Sequence, residues 1–356
     1  MGLAVTATPP LESDGRGGPP AREAETMPST PSGLHHVTAI ATDPQRNVDF
    51  YRTALGLRLV KRTVNFDAPD TYHLYFGGES GQPGTLITFF PWPGAPRGRR
   101  GAGQTTTVAF SVPQHSLGWW QRHLDGIEVN VGTPTTRSSE ETLTVADPDG
   151  LLVELVGHPE ADSRAPWEDG PIPPDYAIRG LHSVTVTEIG HEHTAELLTE
   201  TMGFRLVEES GARFRFATGD GGSGAMVDVL CSPEAPLGMV AAGTVHHIAW
   251  RAHDDAEQVD WRNTLLDQGL DVTPVLDRRY FHSIYFREPG GVLFEIATDP
   301  PGFTVDEPLM ELGRALKLPP WLEPSRAEIE QVLPTLRVPS PDEEITFTPP
   351  PAERTR

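Results

Sequence analysis

The string Gly33-Leu34-His35-His36-Val37-Thr38 is answered far down the chain by Thr244-Val245-His246-His247-Ile248-Ala249. Each sets a His-His pair in a short run rich in apolar and β-branched residues, the composition of a strand. A third run, Val292-Leu293-Phe294-Glu295-Ile296, places one carboxylate among apolar neighbours. A buried carboxylate without a partner is costly. Either an arginine such as Arg251 or Arg278 pairs it, or a bound cation does. Two imidazoles and one carboxylate are a ligand set that holds a metal ion at three corners and leaves the remaining positions open.

Working outward, four segments repeat one plan: a strand, an amphipathic helix, then strands ending in a second apolar run. The first opens at His36 and closes on Gly84-Thr85-Leu86-Ile87-Thr88-Phe89-Phe90. Its helix is predicted over Pro44–Leu55, with Asp43 as N-cap, Pro44 at the first position and Gly56 as the stop. The second runs from Thr105-Thr106-Thr107 to Leu152-Val153-Glu154-Leu155, the third from Leu181-His182-Ser183 to Val227-Asp228-Val229, and the fourth from His246-His247 to Glu295. Helices are expected at His193–Met202 in the third segment and at about Ala256–Gln268 in the fourth. Strand-one and last-strand markers (His36 and Thr88, Thr107 and Glu154, Ser183 and Asp228, His247 and Glu295) lie 52, 47, 45 and 48 residues apart. The expected organisation is therefore an extension over 1–32 with a disordered composition, modules at 33–92, 104–158, 178–232 and 243–299, and a tail over 300–356 carrying one helix, Ser325–Leu333, capped by its serine.

Composition narrows the function. With 28 basic and 50 acidic residues the formal net charge is −22. Such a surface repels phosphate backbones and anionic lipid, so nucleic-acid and membrane partners are not expected. No apolar run approaches the ~20 residues that span a bilayer, and the first thirty residues lack the apolar centre of a secretory signal. Met27 offers an alternative start. The single cysteine, Cys231, lies in an apolar run, reads as a buried thiol, and fits a reducing cytoplasm.

These motifs, taken in four-module order, resemble the vicinal oxygen chelate superfamily (glyoxalases, bleomycin resistance proteins and extradiol dioxygenases), an α+β fold of βαβββ modules. The run Asp277-Arg278-Arg279-Tyr280-Phe281-His282-Ser283-Ile284-Tyr285-Phe286-Arg287 and the tail Leu318-Pro319-Pro320-Trp321-Leu322-Glu323-Pro324 resemble its hydroquinone ring-cleaving branch. The resemblance implies two cup-shaped half-barrel pairs, with modules 1 and 4 paired around the metal. It implies His36, His247 and Glu295 as ligands of Fe(II), or of Mn(II), in a dioxygenase that opens an aromatic ring with O2. Tyr285, ten residues before Glu295, would point at a substrate hydroxyl. Arg278 would bind a substrate oxygen, and Thr38 shares the ligand face two residues after His36. His35 and His246 precede the ligands and by strand alternation face the other way; the resemblance gives them second-sphere importance through a hydrogen bond or a local bulge.

Each of these residues also has a plainer reading: a satisfied strand histidine, an ordinary strand tyrosine or threonine, a solvated loop arginine. The other histidines, His73 and His282 among them, are expected to serve surface or local structure. The second set of markers, Thr107, Glu154, Ser183 and Asp228, lacks histidine and reads as a structural cup. Thr88 is no ligand for iron, so the site keeps three protein ligands and stays open. A fourth-ligand base, which a glyoxalase-type isomerase or lyase would use, is missing there. A non-catalytic small-molecule binding protein is the remaining alternative, and the sequence leaves a homo-oligomer open.

Overall fold

The computed structural model describes residues 30–137 and 139–338. The expected extension before Thr30 and the Pro-rich end from Pro339 lie outside the described residues. Module 1 contains β1 (Leu34–Ala41), α1 (Pro44–Asp49), β2 (Arg58–Asn65), β3 (Ala68–Gly77) and β4 (Leu86–Pro91). Module 2 contains β5 (Gln104–Pro113), α2 (Leu117–Gly126), β6 (Thr135–Arg137), β7 (Glu140–Ala146) and β8 (Leu152–His158). Module 3 contains β9 (Leu181–Glu188), α3 (Glu192–Glu196), β10 (Arg205–Ser210), β11 (Arg213–Ala217) and β12 (Met226–Cys231). Module 4 contains β13 (Thr244–Ala252), α4 (Asp255–Asp267), β14 (Leu276–Asp277), β15 (His282–Arg287) and β16 (Leu293–Thr298).

The strands form two curled eight-stranded sheets, ordered β14-β15-β16-β13-β1-β4-β3-β2 and β10-β11-β12-β9-β5-β8-β7-β6. Modules 1 and 4 thus share one sheet and modules 2 and 3 the other, joined through antiparallel β1–β13 and β5–β9 pairs. Alternation divides each strand between two jobs. On β1 and β4, Val37, Ala39, Ile87 and Phe89 pack with Val48, Phe50 and Tyr51 of the helical segment; the Tyr51 and Phe89 rings lie 4.5 Å apart. That leaves His36, Thr38 and Thr88 for the opposite, concave face.

Helix ends follow the local chemistry. Asp43 accepts from the amides of Gln45 and Arg46 and caps α1. The turn after α1, Phe50–Ala54, widens into a π-helical turn, and Leu197–Thr201 repeats this after α3. The tail helix α5 (Arg326–Val332) forms as expected, but Ser325 makes no side-chain cap bond; Arg326 instead ties the helix start to Glu323 and Glu330. Cys231 ends β12 half-buried rather than fully buried, because the strand is already leaving the core there.

All four first strands carry a β-bulge at the residue before the marker. Against β13, β1 pairs Leu34 with Trp250 but His36 with Ala249, leaving His35 as the extra residue; against β1, β13 pairs His247 with Thr38 but Val245 with Ala39, leaving His246. Thr106 and His182 are extra in the same way in the β5–β9 pair. A bulge breaks strict alternation and re-aims the side chains beside it. This is the physical reason that two consecutive histidines can serve one site.

Candidate metal centre

His36 on β1, His247 on β13 and Glu295 on β16 meet on the concave face of the first sheet, all buried. Their candidate ligand atoms lie within 4.8 Å of one another. His36 Nε2 is 3.3 Å from His247 Nε2, and Glu295 Oε2 is 2.9 Å from His247 Nε2 and 3.3 Å from His36 Nε2. Glu295 Oε1 accepts a hydrogen bond from Ser283 Oγ, whereas Oε2, fully buried, makes none of acceptable geometry. The alternative arginine partners are engaged elsewhere: Arg251 is paired with Asp299, and Arg278 with Asp67.

The residues fit a cation. His36 Nδ1 lies 2.9 Å from His35 Nδ1, and His247 Nδ1 lies 2.8 Å from His246 Nδ1. When the inner ring of each pair donates through Nδ1, its Nε2 is a bare lone pair aimed at Glu295 Oε2. Three electron-rich atoms then face one another with no hydrogen between them, an arrangement that a metal ion satisfies. Burial holds the His247 imidazole below its usual range and His35 well below it; His246 is brought down to about 3. Neutral rings are the ligand form. Burial alone would push Glu295 up, but positive charge beside it, placed on the His36 and His247 rings where a bound cation would stand, holds its carboxyl well below the usual range. The bulges therefore turn His35 and His246 back toward the ligands instead of away: each pair of rings is edge-to-face with centroids 5.1 Å apart, and His246 also lines the cavity.

A cavity of about 320 Å³ opens over this cluster, lined by Phe66, Phe90, Phe281, Leu293 and Trp92 as walls and by Asn65, Asp67, His73, Tyr75, Arg278 and Tyr285 as polar groups. Tyr285 pairs with Glu295 across β15–β16, and its ring lies 5.5 Å from that of His247. Burial, with the Glu295 charge second, raises the pKa of this phenol. Arg278 sits at the mouth; its Nη1 donates to Asp67 Oδ2 at 2.9 Å, and its guanidinium lies 5.4 Å from the centroid of the Tyr285 ring. The next residue, Arg279, holds φ of +69°, a left-handed conformation rare outside glycine. Arg278 lines the cavity, while Arg279 Nε lies 4.0 Å from Asp306 Oδ2.

Thr38 faces His247 across the β1–β13 pair, but its hydroxyl meets Thr88 Oγ1 at 2.8 Å and not a ligand atom. His73, expected to be surface or local structure, is instead in the cavity wall, bonded to Thr88 and Tyr75. Its strand position was the available signal: His73 and Tyr75 stand on β3 as Ser283 and Tyr285 stand on β15, since Tyr75 pairs with Thr88 as Tyr285 pairs with Glu295. His282 points out of the site, to Asp255. In the second sheet, salt bridges fill the corresponding face: Arg215 and Arg213 bind Asp228, Arg137 binds Glu154, and Arg215 also reaches Glu140.

A curled pair of sheets built from repeated βαβββ modules, with a His-His-Glu cluster in one cup, defines a class. The profile described as "Glyoxalase/Bleomycin resistance protein/Dioxygenase superfamily" matches residues 33–155 and 180–296, and the chain belongs to that superfamily. Within it the chain is of the ring-cleaving dioxygenase type. It is 47% identical over 301 residues to the Bacillus subtilis (strain 168) protein named "Putative ring-cleaving dioxygenase MhqO", covering 85% of this chain and 95% of the relative. It is 37% identical over 311 residues to the "Chlorohydroquinone/hydroquinone 1,2-dioxygenase" of Sphingobium indicum, covering 85% and 96%. A crystal structure of a "putative dioxygenase" from Bacillus subtilis superposes with a TM-score of 0.83 at 46% identity, over 87% of this chain and 99% of that one. Glyoxalase I from Zea mays shares the fold, with a TM-score of 0.58 at 12% identity over 75% of this chain and 92% of the maize chain.

Proposed function

We propose that this chain opens the ring of a hydroquinone-type diol with dioxygen, using Fe(II) held by His36, His247 and Glu295, with Mn(II) as the alternative ion. One observation carries the reading: Glu295 Oε2, which has no hydrogen-bond partner of acceptable geometry, converges with two imidazole nitrogens at 2.9 and 3.3 Å in a cavity walled by aromatic rings. The name of the Sphingobium relative supports the substrate class. Bound here, the ion would lower the pKa of a phenol and give phenolate and dioxygen a common centre.

The protein's own groups supply the rest. His35 and His246 fix the tautomer and orientation of the ligand rings. Phe66, Phe90, Phe281 and Leu293 exclude water and hold an aromatic ring. The raised Tyr285 phenol stays protonated at neutral pH and donates a hydrogen bond to an anionic substrate oxygen. A para-diol brings only one oxygen to the ligand cluster; Arg278 at the mouth offers N–H groups to the other. Thr88 takes the fourth corner with a hydroxyl already bonded to Thr38 and His73, so it offers no carboxylate base for isomerase chemistry. The single cysteine supports a reducing, cytoplasmic setting.

The test is oxygen uptake after anaerobic iron loading, with hydroquinone, chlorohydroquinone and catechol. The expected preference for the para-diols is at least about tenfold, since a site built to bond a distal hydroxyl discriminates against a substrate lacking it. Uptake with catechol alone would remove the para-diol assignment, and uptake with none of the three would remove the dioxygenase reading.

A further inference from the structure

Across the cup from Tyr285 stands its pseudo-twofold mate, Tyr75, buried at 1% exposure and lining the same cavity. Its hydroxyl has one hydrogen-bond partner among the described residues, His73 Nδ1 at 2.8 Å. His73 Nε2 continues to Thr88 Oγ1 at 2.9 Å, and Thr88 Oγ1 to Thr38 Oγ1 at 2.8 Å. Thr38 and Thr88 are both fully buried, and the chain of contacts ends at Thr38. Burial holds the His73 pKa well below its ordinary value, so its imidazole is neutral.

The direction of this chain follows from counting hydrogens. Two threonine hydroxyls, one neutral imidazole and one phenol carry four polar hydrogens, and three contacts consume three. If Tyr75 donates to His73, the hydrogen left over belongs to Thr38 or Thr88. Neither hydroxyl has another partner among the described residues, so that hydrogen would be buried and unsatisfied. In the reverse direction every buried group is satisfied. Thr38 donates to Thr88, Thr88 to His73 Nε2, and His73 Nδ1–H to the Tyr75 oxygen. The surplus hydrogen is then the phenol's own, and the cavity is the place it can go.

We propose that Tyr75 is a second substrate-binding phenol, fixed as a hydrogen-bond donor into the cavity, and that His73, Thr88 and Thr38 are positioning residues that set its sense. Thr38 acts as the head of the chain, through its hydroxyl on Thr88. The ligand it takes is a phenolate oxygen on the module 1 side of the cup. The assignment rests on the reading of the cavity as a phenol site, but not on ring cleavage.

Two readouts test it. Binding of hydroquinone is measured by anaerobic calorimetry, and 4-nitrophenol is titrated spectrophotometrically, since its visible absorption reports whether the bound phenol is ionised. Tyr75→Phe keeps the ring and removes the donor. It is expected to weaken hydroquinone binding about tenfold and to raise the pKa of bound 4-nitrophenol. His73→Leu is expected to do the same, and His73→Asn, whose amide N–H can stand where Nδ1–H stands, to recover much of the loss. Tyr75→Phe binding both phenols as wild type, with an unchanged nitrophenol spectrum, would overturn the proposal. So would equal losses in His73→Asn and His73→Leu. Failure of the wild type to consume oxygen with hydroquinone would defeat the dioxygenase reading while leaving the nitrophenol result decisive for Tyr75.

Discussion

Glu295 is the residue on which the site turns. A carboxylate oxygen buried without a hydrogen-bond donor, 2.9 Å and 3.3 Å from two imidazole nitrogens, is an expensive object unless a cation is its partner. Its immediate supports make a separate prediction. His246 touches His247 through Nδ1 at 2.8 Å, and its ring also meets Phe90 edge-on in the cavity wall. His246→Ala is expected to lower metal affinity by about 10–100-fold while the chain still folds, because the ligand ring loses its orienting partner. Competitive titration against a chelator measures this, and unchanged affinity would reduce His246 to a cavity wall. The meeting of His36, His247 and Glu295 was legible in the sequence because a matched His-His motif recurs at corresponding positions. His73 was harder to read, because it has no repeat partner: at its place in module 4 stands a serine, Ser283, so only its position two residues before Tyr75, the counterpart of Tyr285, marks it.

At the scale of elements, the bulged first strand explains what alternation alone could not. A regular strand would turn His35 and His246 away from the cup; the extra residue in each β1–β13 pairing brings both rings of a pair to one site. The elements also meet at joints with chemistry of their own. Thr42, just past β1, donates through its amide and hydroxyl to Asp149 in the β7–β8 turn. At the corresponding joint of modules 3 and 4, Gly290 stands in the turn and Glu188 of β9 fills its space; a Cβ on Gly290 would lie 2.4 Å from the Glu188 carboxyl carbon. Both Glu188 oxygens are buried without a partner among the described residues, near Glu288. Burial, then the Glu288 charge, raises Glu188 to about 8 from an ordinary 4.5. Between those values the folded chain holds a proton that the unfolded chain has lost. Stability from this joint is therefore full below the ordinary value and falls as pH rises toward 8. Glu188→Gln is expected to flatten that slope and raise the melting temperature by a few degrees at pH 8 relative to wild type; thermal unfolding at several pH values checks it. A mutant slope equal to the wild-type slope would mean that other groups carry the dependence.

For the whole molecule, the four modules fold alike but the two cups do different work. One carries histidines and an open cavity; in the other, guanidinium groups occupy the concave face and neutralise Asp228 and Glu154. The pairing of first with fourth could be read from the positions of the candidate ligands, since residues proposed to share one ion must share a cup. The arginines that fill the second cup could not, because Arg137, Arg213 and Arg215 lie on strands whose register the sequence does not announce. Nor could the grip of the tail, where Asp306 and Glu307 neutralise the buried Lys61 of β2. Arg215→Leu leaves Asp228 buried with a weakened partner set and is expected to cost about 3–5 kcal/mol of stability while metal affinity stays unchanged, as denaturant unfolding and chelator competition would report. The central claim is that His36, His247 and Glu295 hold one ion on which ring opening depends. Its most direct test is iron bound per chain, measured together with hydroquinone-dependent oxygen uptake, in the wild type and in a folded His247→Ala variant. The account predicts one iron per chain and one O2 per hydroquinone in the wild type, with both lost in His247→Ala; stoichiometric uptake by the variant or by metal-free protein would contradict it.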